Sequence, residues 1–311
     1  LTEDEFLTIR DLAFDGIQQF KPYTMEDALN EVFMEEDKLQ NILDLLEYKK
    51  NIILQGPPGT GKTFLAKRLA WLMSGVKDRN RIEVVQFHQS YSYEDFIRGY
   101  RPTEEHFELK DGIFMQMCKR AKSDPEDRPY FLVIDEINRG NLSKIFGELM
   151  MLIENDKRGE KFTVKLPYRK DEDEPDFYIP KNLHLIGTMN TADRSLAMVD
   201  YALRRRFVFI DMMPNFGDKF QEHLKENGVE EHLINTIVER LNELNKRIAD
   251  RQELGPGPGY QIGHSYFCST KNGDEDWYKN IIRYEIIPLL NEYWFDKPTK
   301  VEEVEEQLLT I

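Results

Sequence analysis

The chain has 311 residues, 40% hydrophobic and 32% charged, the make-up of an ordinary soluble globular protein with room for two domains. Lys and Arg number 42 against 57 Asp and Glu, and this balance of −15 argues against a dedicated nucleic-acid-binding surface. No apolar run reaches the length of a membrane span. Cys118 and Cys268 are the only cysteines; they exclude a four-cysteine zinc site or a dense disulfide framework and read as idle thiols in a reducing cytoplasm. A chain that starts at Leu1 rather than Met, with no signal peptide ahead of it, is expected to be part of a longer polypeptide.

In chain order, Thr24-Met25-Glu26-Asp27 has the form of a helix start, followed by the apolar face Ala28, Leu29, Val32 and Phe33. A second helix carrying Leu39, Ile42, Leu43, Leu45 and Leu46 leads into a short apolar run, Asn51-Ile52-Ile53-Leu54, suited to a buried parallel strand. Next comes Gln55-Gly56-Pro57-Pro58-Gly59-Thr60-Gly61-Lys62-Thr63, which fits G-x-x-x-x-G-K-[ST], and then a helical pattern over residues 64–73. Residues 82–87 read as a second strand. Residues 88–102 alternate aromatic and polar side chains without a clean period. Residues 130–134 form a third strand running into Asp135-Glu136, and residues 141–154 a helix. Residues 162–166 and 177–179 flank the acidic run 171–174 as a hairpin with a solvated tip. Residues 183–187 make a fourth strand ending at Thr188-Met189-Asn190, and residues 207–210 a fifth.

Beyond Pro214-Asn215 only helices are expected. Leu233, Ile237, Leu241, Leu244 and Ile248 repeat at helical spacing, and Gly255-Pro256-Gly257-Pro258-Gly259 breaks the chain. Helices over 277–293, kinked or divided at Pro288, and over 301–309 complete it. This gives an α/β nucleotide-binding domain at 1–213, with a parallel sheet flanked by helices, and a smaller all-helical domain at 214–311.

Strand, glycine loop and helix form the arrangement that holds a phosphate, because unpaired N–H groups at the helix start face negative charge. Gly56, Pro57, Pro58, Gly59, Thr60 and Gly61 form the loop, Lys62 reaches for the β and γ phosphates, and the Thr63 hydroxyl is placed for Mg²⁺. Asp135 at a neighbouring strand end completes the metal shell, and Glu136 is positioned to polarise the attacking water. Asn190 can orient that water, helped by Asp193. Arg204, Arg205 and Arg206 in an acidic chain imply an anion facing them, such as a nucleotide in the next subunit; an ordinary salt-bridged surface is the plainer alternative. Asn245-Lys246 lacks the Asp of a guanine-reading motif, His264-Ser265 lacks an acid for a hydrolase triad, and His88 has no partner at metal-ligand spacing.

With these parts in this order, the chain resembles an AAA+ P-loop NTPase with a helical lid. More narrowly it resembles the McrB-type motors, the GTP-hydrolysing subunits of modification-dependent restriction systems. The resemblance rests on residues 86–96, on Asp135-Glu136-Ile137-Asn138-Arg139, and on Met189-Asn190-Thr191-Ala192-Asp193-Arg194-Ser195. Asp200-Tyr201-Ala202-Leu203-Arg204-Arg205-Arg206-Phe207 and Gly263-His264-Ser265-Tyr266-Phe267 add to it. It implies GTP as substrate with Mg²⁺, Asn190 and Asp193 beside the γ-phosphate, and Arg205 or Arg206 as a finger into the neighbouring site. It further implies a hexameric ring, an McrC-type endonuclease partner, and recognition of modified DNA by an N-terminal domain absent from this chain. Residues 259–264 lack the sensor arginine of many AAA+ lids, so lid sensing is expected either to use His264 or Gln261 or to be weak. The extended segment 20–23, with nearby lid residues, is expected to contact the base. An ATP-using remodeller of the MoxR or dynein-related branch, or a nucleotide-dependent assembly scaffold, would share most of these features.

Overall fold

The computed structural model describes residues 20–193, 201–250, 255–269 and 272–310; Arg194, Ser195 and Asp200 of the strings quoted above lie outside them. Thr24 caps helix α1 (Met25–Glu31) through a reciprocal bond with Asp27, as its sequence predicts. Helix α2 (Glu36–Lys49) ends at Lys50 in the left-handed conformation and delivers the chain to strand β1 (Asn51–Gly56). Helix α3 (Lys62–Ser74) follows the glycine loop. Strands β2 (Ile82–Gln86), β5 (Tyr130–Asp135), β6 (Leu183–Asn190) and β7 (Val208–Asp211) join β1 in one five-stranded sheet of order β2-β5-β6-β1-β7. Every pairing in it is parallel.

The sheet carries a core on each face. Successive residues of β1 point to opposite sides, so Ile53 joins the cluster with Leu132, Ile134 and Phe146, while Ile52 and Leu54 join Leu39, Leu65 and Val133. Burial on both faces explains why these strands read as continuous apolar runs. A third apolar cluster draws its buried members from Phe216 onward. It packs helices α6 (Asp218–Glu226), α7 (Glu231–Ala249), α8 (Glu275–Ile281), α9 (Ile287–Tyr293) and α10 (Pro298–Leu309) around Trp294 and Tyr278.

Several local expectations are corrected. The unpatterned stretch after β2 folds into a helical turn and an antiparallel hairpin, β3 (Arg98–Pro102) with β4 (Phe107–Asp111), followed by helix α4 (Ile113–Lys122). The helix expected over 141–154 is α-helical only at α5 (Leu142–Phe146); Gly147 takes φ +51 and the chain tightens into a 3-10 turn. The hairpin expected over 162–179 reduces to one isolated bridge between Val164 and Phe177. The division expected at Pro288 is present, between α8 and α9, and it is made without a stop in helical backbone. A π-helical segment, Ile282–Ile286, precedes α9, and the Ile287 N–H bonds to the Ile282 carbonyl. Proline has no N–H to offer the carbonyl four residues back, and the wider turn accommodates that loss.

Candidate nucleotide site

The glycine loop joins β1 to α3 at the C-terminal edge of the sheet, where open α/β sheets bind ligands. Gly56 is required there by packing: a Cβ would lie 2.1 Å from the Met212 carbonyl oxygen. Lys62 Nζ bonds the carbonyls of Pro57 at 2.7 Å and Gly56 at 3.1 Å, so the ammonium spans the mouth of the loop. Burial pulls its pKa down to about 8, against the carboxylates of Glu136 and Asp135, which raise it.

Asp135 ends β5 opposite the start of α3. Its Oδ1 accepts from Thr63 Oγ1 at 2.8 Å and from the hydroxyl of Thr188 on β6. Glu136 follows in the left-handed region, φ +51 and ψ +45, strained for a residue with this side chain. That turn swings its carboxylate away from β5. Oε1 accepts from Asn190 Nδ2, and Oε2 lies 3.3 Å from Arg139 Nε. Arg139 in turn donates from Nη2 to Asp193 Oδ2 at 2.9 Å. Lys62, Thr63, Asp135, Glu136, Asn190 and Asp193 are thus brought to one place.

A hydroxyl and a carboxylate are hard oxygen donors and suit Mg²⁺, which commonly takes one or two protein ligands plus phosphate oxygens and water. Among the described residues no three His, Cys, Asp or Glu side chains group to hold a metal alone. The donor pair therefore fits a cation shared with a triphosphate.

Arg205 and Arg206 stand apart. Their Nη2 atoms lie 2.8 and 2.9 Å from one Glu154 oxygen, and the Arg206 carbonyl accepts from Asn51, the first residue of β1. The loop begins at the other end of that strand, about 16 Å away at ~3.3 Å per residue. Neither arginine serves the loop of its own chain. Arg205 is 65% exposed and Arg206 8%.

Sequence reasoning did not assign Arg139 or Thr188. Arg139 lies three residues from Glu136 on a 3-10 turn, whose period stacks such positions. Thr188 sits two residues before Asn190 on β6, and alternation along the strand gives both the same face. The lid contact was also missed. Ser265 N–H bonds the Gly59 carbonyl at 2.9 Å, and a Cβ on Gly263 would lie 2.0 Å from the Gly59 backbone, so only glycine lets the lid reach the loop.

A cavity of about 450 Å³ opens beside Thr60 and Gly61, walled by Val32, Phe33, Phe64 and Met212 from the α/β unit and by His264 and Cys268 from the lid. His264 accepts from the Asn215 N–H at 3.2 Å, and burial lowers its pKa to about 4, so the imidazole is neutral. The segment expected to meet the base, residues 20–23, does not line this cavity. Tyr23 is buried edge-on against Trp71, and residues 31–35 take the place instead. Gln261 is also turned away, donating to the Asn245 carbonyl inside the lid.

A phosphate loop after a central parallel strand, paired acids on the neighbouring strand, a strand-end Asn and a docked helical lid define a P-loop nucleoside triphosphatase. The chain belongs to the AAA domain family, dynein-related subfamily, which matches residues 51–207, and the McrB alpha-helical lid domain matches residues 236–302. It is a homologue of McrB, 52% identical over 292 residues to the Type IV methyl-directed restriction enzyme EcoKMcrB subunit of Escherichia coli (strain K12). That alignment takes in 92% of this chain and 63% of the relative, so the chain spans less than two-thirds of that protein's length. It is also 23% identical over 284 residues to the Type II restriction enzyme BsuMI component YdiS of Bacillus subtilis (strain 168), covering 78% of each. No helix among the described residues is long and apolar enough to cross a membrane.

Proposed function

We propose that this chain is the Mg²⁺-dependent GTPase motor of a restriction complex acting on modified DNA, dividing near residue 213 into catalytic unit and lid. It would work as a ring, hexameric by the resemblance, and drive an McrC-type endonuclease partner. The observation that carries the catalytic part is the Asp135-Glu136 junction: adjacent acids turned to different tasks, one bonded to Thr63 and the other held by Asn190. The restriction role rests on the 52% identity to a protein of that description. The net charge of −15 agrees with DNA being read and cut mainly by other domains or subunits.

The loop N–H groups and Lys62 would bind the triphosphate, with Thr63 and Asp135 holding Mg²⁺. The bound ion would neutralise charge on the β and γ phosphates. Glu136 accepts a proton from water as its oxygen bonds to the γ phosphorus. The bond to the bridging oxygen breaks, and GDP departs with those electrons. Asn190 holds the Glu136 carboxylate in line, and Asp193 acts through Arg139, fixing the other carboxylate oxygen. Arg205, the more exposed arginine, would reach the neighbouring subunit's phosphates.

Glu136→Gln should retain nucleotide binding and lose turnover by about 10²- to 10⁴-fold; near-normal hydrolysis would remove Glu136 as the base. The dynein-related match over 51–207 favours a second reading, an ATP-hydrolysing remodeller. Rates with GTP and ATP, with and without the endonuclease partner, separate the two.

A further inference from the structure

We propose that Glu35 and Lys38, at the first turn of α2, read the base and make the site choose guanine over adenine; this rests on the GTPase reading above. A nucleotide whose phosphates lie on the loop has the cavity beside Thr60 and Gly61 for its ribose and base. At about 450 Å³ it is within the range of sites for such ligands. Its walls are mostly apolar. Phe33, packed edge-on to His264 at 5.1 Å between ring centres, can bear on a purine face but cannot tell one purine from another.

Discrimination must come from polar groups at the rim, and most of them are engaged. Glu31 is held by Arg68 at 2.7 Å and Lys77 at 2.9 Å. The carbonyls of Phe33 and Met34 accept from Asn215 Nδ2 at 2.9 Å and Lys219 Nζ at 2.6 Å. Burial pushes the Cys268 thiol up to about 12, so it stays protonated. The hydroxyls of Ser265 and Ser269 also line the cavity, but each can both donate and accept and so favours neither purine; of the charged groups, Glu35 and Lys38 remain. Both line the cavity, both are exposed, and neither side chain makes a hydrogen bond or ion pair among the described residues. Glu35 is the N-cap residue of α2, yet its carboxylate does not cap that helix. Three residues apart on one helix, opposite charges commonly pair with each other; these two do not.

The pair matches one base. Guanine presents N1–H and the N2 amino group as donors and O6 as an acceptor. A carboxylate takes both donors and an ammonium donates to O6. Adenine presents an amino group where guanine has O6, and a bare N1 acceptor where guanine has N1–H. It would set donor against ammonium and acceptor against carboxylate, so the same two residues attract one purine and repel the other. The tempting alternative, Asn245-Lys246, is spent on structure: Asn245 donates to the Ile262 carbonyl at 2.9 Å and accepts its N–H at 2.6 Å.

The test is hydrolysis of GTP, ATP and xanthosine triphosphate by the chain with its endonuclease partner, comparing wild type with Glu35→Gln. Xanthine carries a carbonyl where guanine has its amino group, so the Gln amide can donate to it while accepting N1–H. Glu35→Gln should lower kcat/KM for GTP by about 10²-fold and raise that for xanthosine triphosphate by a similar factor. A gain of this kind cannot come from misfolding. Lys38→Met should narrow the GTP-to-ATP ratio about tenfold. A wild type that prefers ATP overturns the GTPase reading and this inference together. A wild type that prefers GTP, with an unchanged ratio of GTP to xanthosine triphosphate in Glu35→Gln, overturns the inference and leaves the GTPase reading standing.

Discussion

The two ends of strand β1 are made of similar residue types and use them in opposite ways. At the Asn51 end, polar groups are closed in on one another. Asn51 donates to the carbonyls of Ile153 at 2.7 Å and Arg206 at 3.0 Å, and its Oδ1 accepts from Arg158 Nη2 at 2.6 Å. Arg158 also binds the Ile153 and Leu183 carbonyls, and burial lowers its pKa to about 10, leaving it charged at neutral pH without a carboxylate partner among the described residues. At the Gly56 end, groups are held but kept facing a space: Lys62 across the loop, Thr63 and Asp135 together, Glu136 in a strained backbone. Satisfied burial marks a structural network, and costly presentation marks a functional one. On the role proposed for Arg205, the structural end would still bear on function, because it fixes the Arg206 backbone next to it.

The comparison can be broken in order of expected effect. Arg205→Ala should cut hydrolysis by the assembled protein by about 10³-fold or more, the scale of a trans-acting arginine, with nucleotide binding retained. Turnover measured alongside the mass of the assembly decides it. Full activity in an intact assembly would return Arg205 to a surface ion pair with Glu154. Arg158→Met should act on stability instead. It leaves the Asn51 oxygen and the Leu183 carbonyl without their buried donor, at about 3 kcal/mol together. A urea midpoint unchanged from wild type would show that the Asn51 end is not held in this way.

How much of this was legible depended on how local each signal was. The phosphate loop, the five sheet strands and the acids after β5 were readable because each is a contiguous string with its own period or spacing. The β3–β4 hairpin was not. Its buried Arg98 is neutralised by Asp111 on the paired strand and by Glu174, 76 residues away, and no window of sequence shows that partnership. Arg158 was passed over for the same reason: a buried arginine satisfied by carbonyls has the same letter as a solvated one. Residues 31–35 were overlooked as a cavity wall because their line-up with the lid exists only once Asn215 and Lys219 bind their carbonyls. Arg205 and Arg206 look alike in sequence, and only burial separates them.

The smallest effect tests the neutrality of the phosphate end. His264 is held at a pKa of about 4 in the fold, against about 6.5 when unfolded. Between those values the unfolded chain binds the proton and the folded one does not. Its contribution is therefore complete above pH ~6.5, falls as pH drops toward 4, and is level below that. At pH 5 the loss reaches about 2 kcal/mol. Denaturation curves at pH 7.5 and pH 5 for wild type and His264→Gln should show the stability gap between the two proteins shrinking by that amount on acidification, since glutamine has no proton to gain. A gap that stays constant would mean that the imidazole takes up its proton in the fold as readily as in the unfolded chain, and so is charged beside the loop at pH 5. The wall of the proposed base cavity would then carry a cation of its own at that pH, in addition to the two residues at its rim.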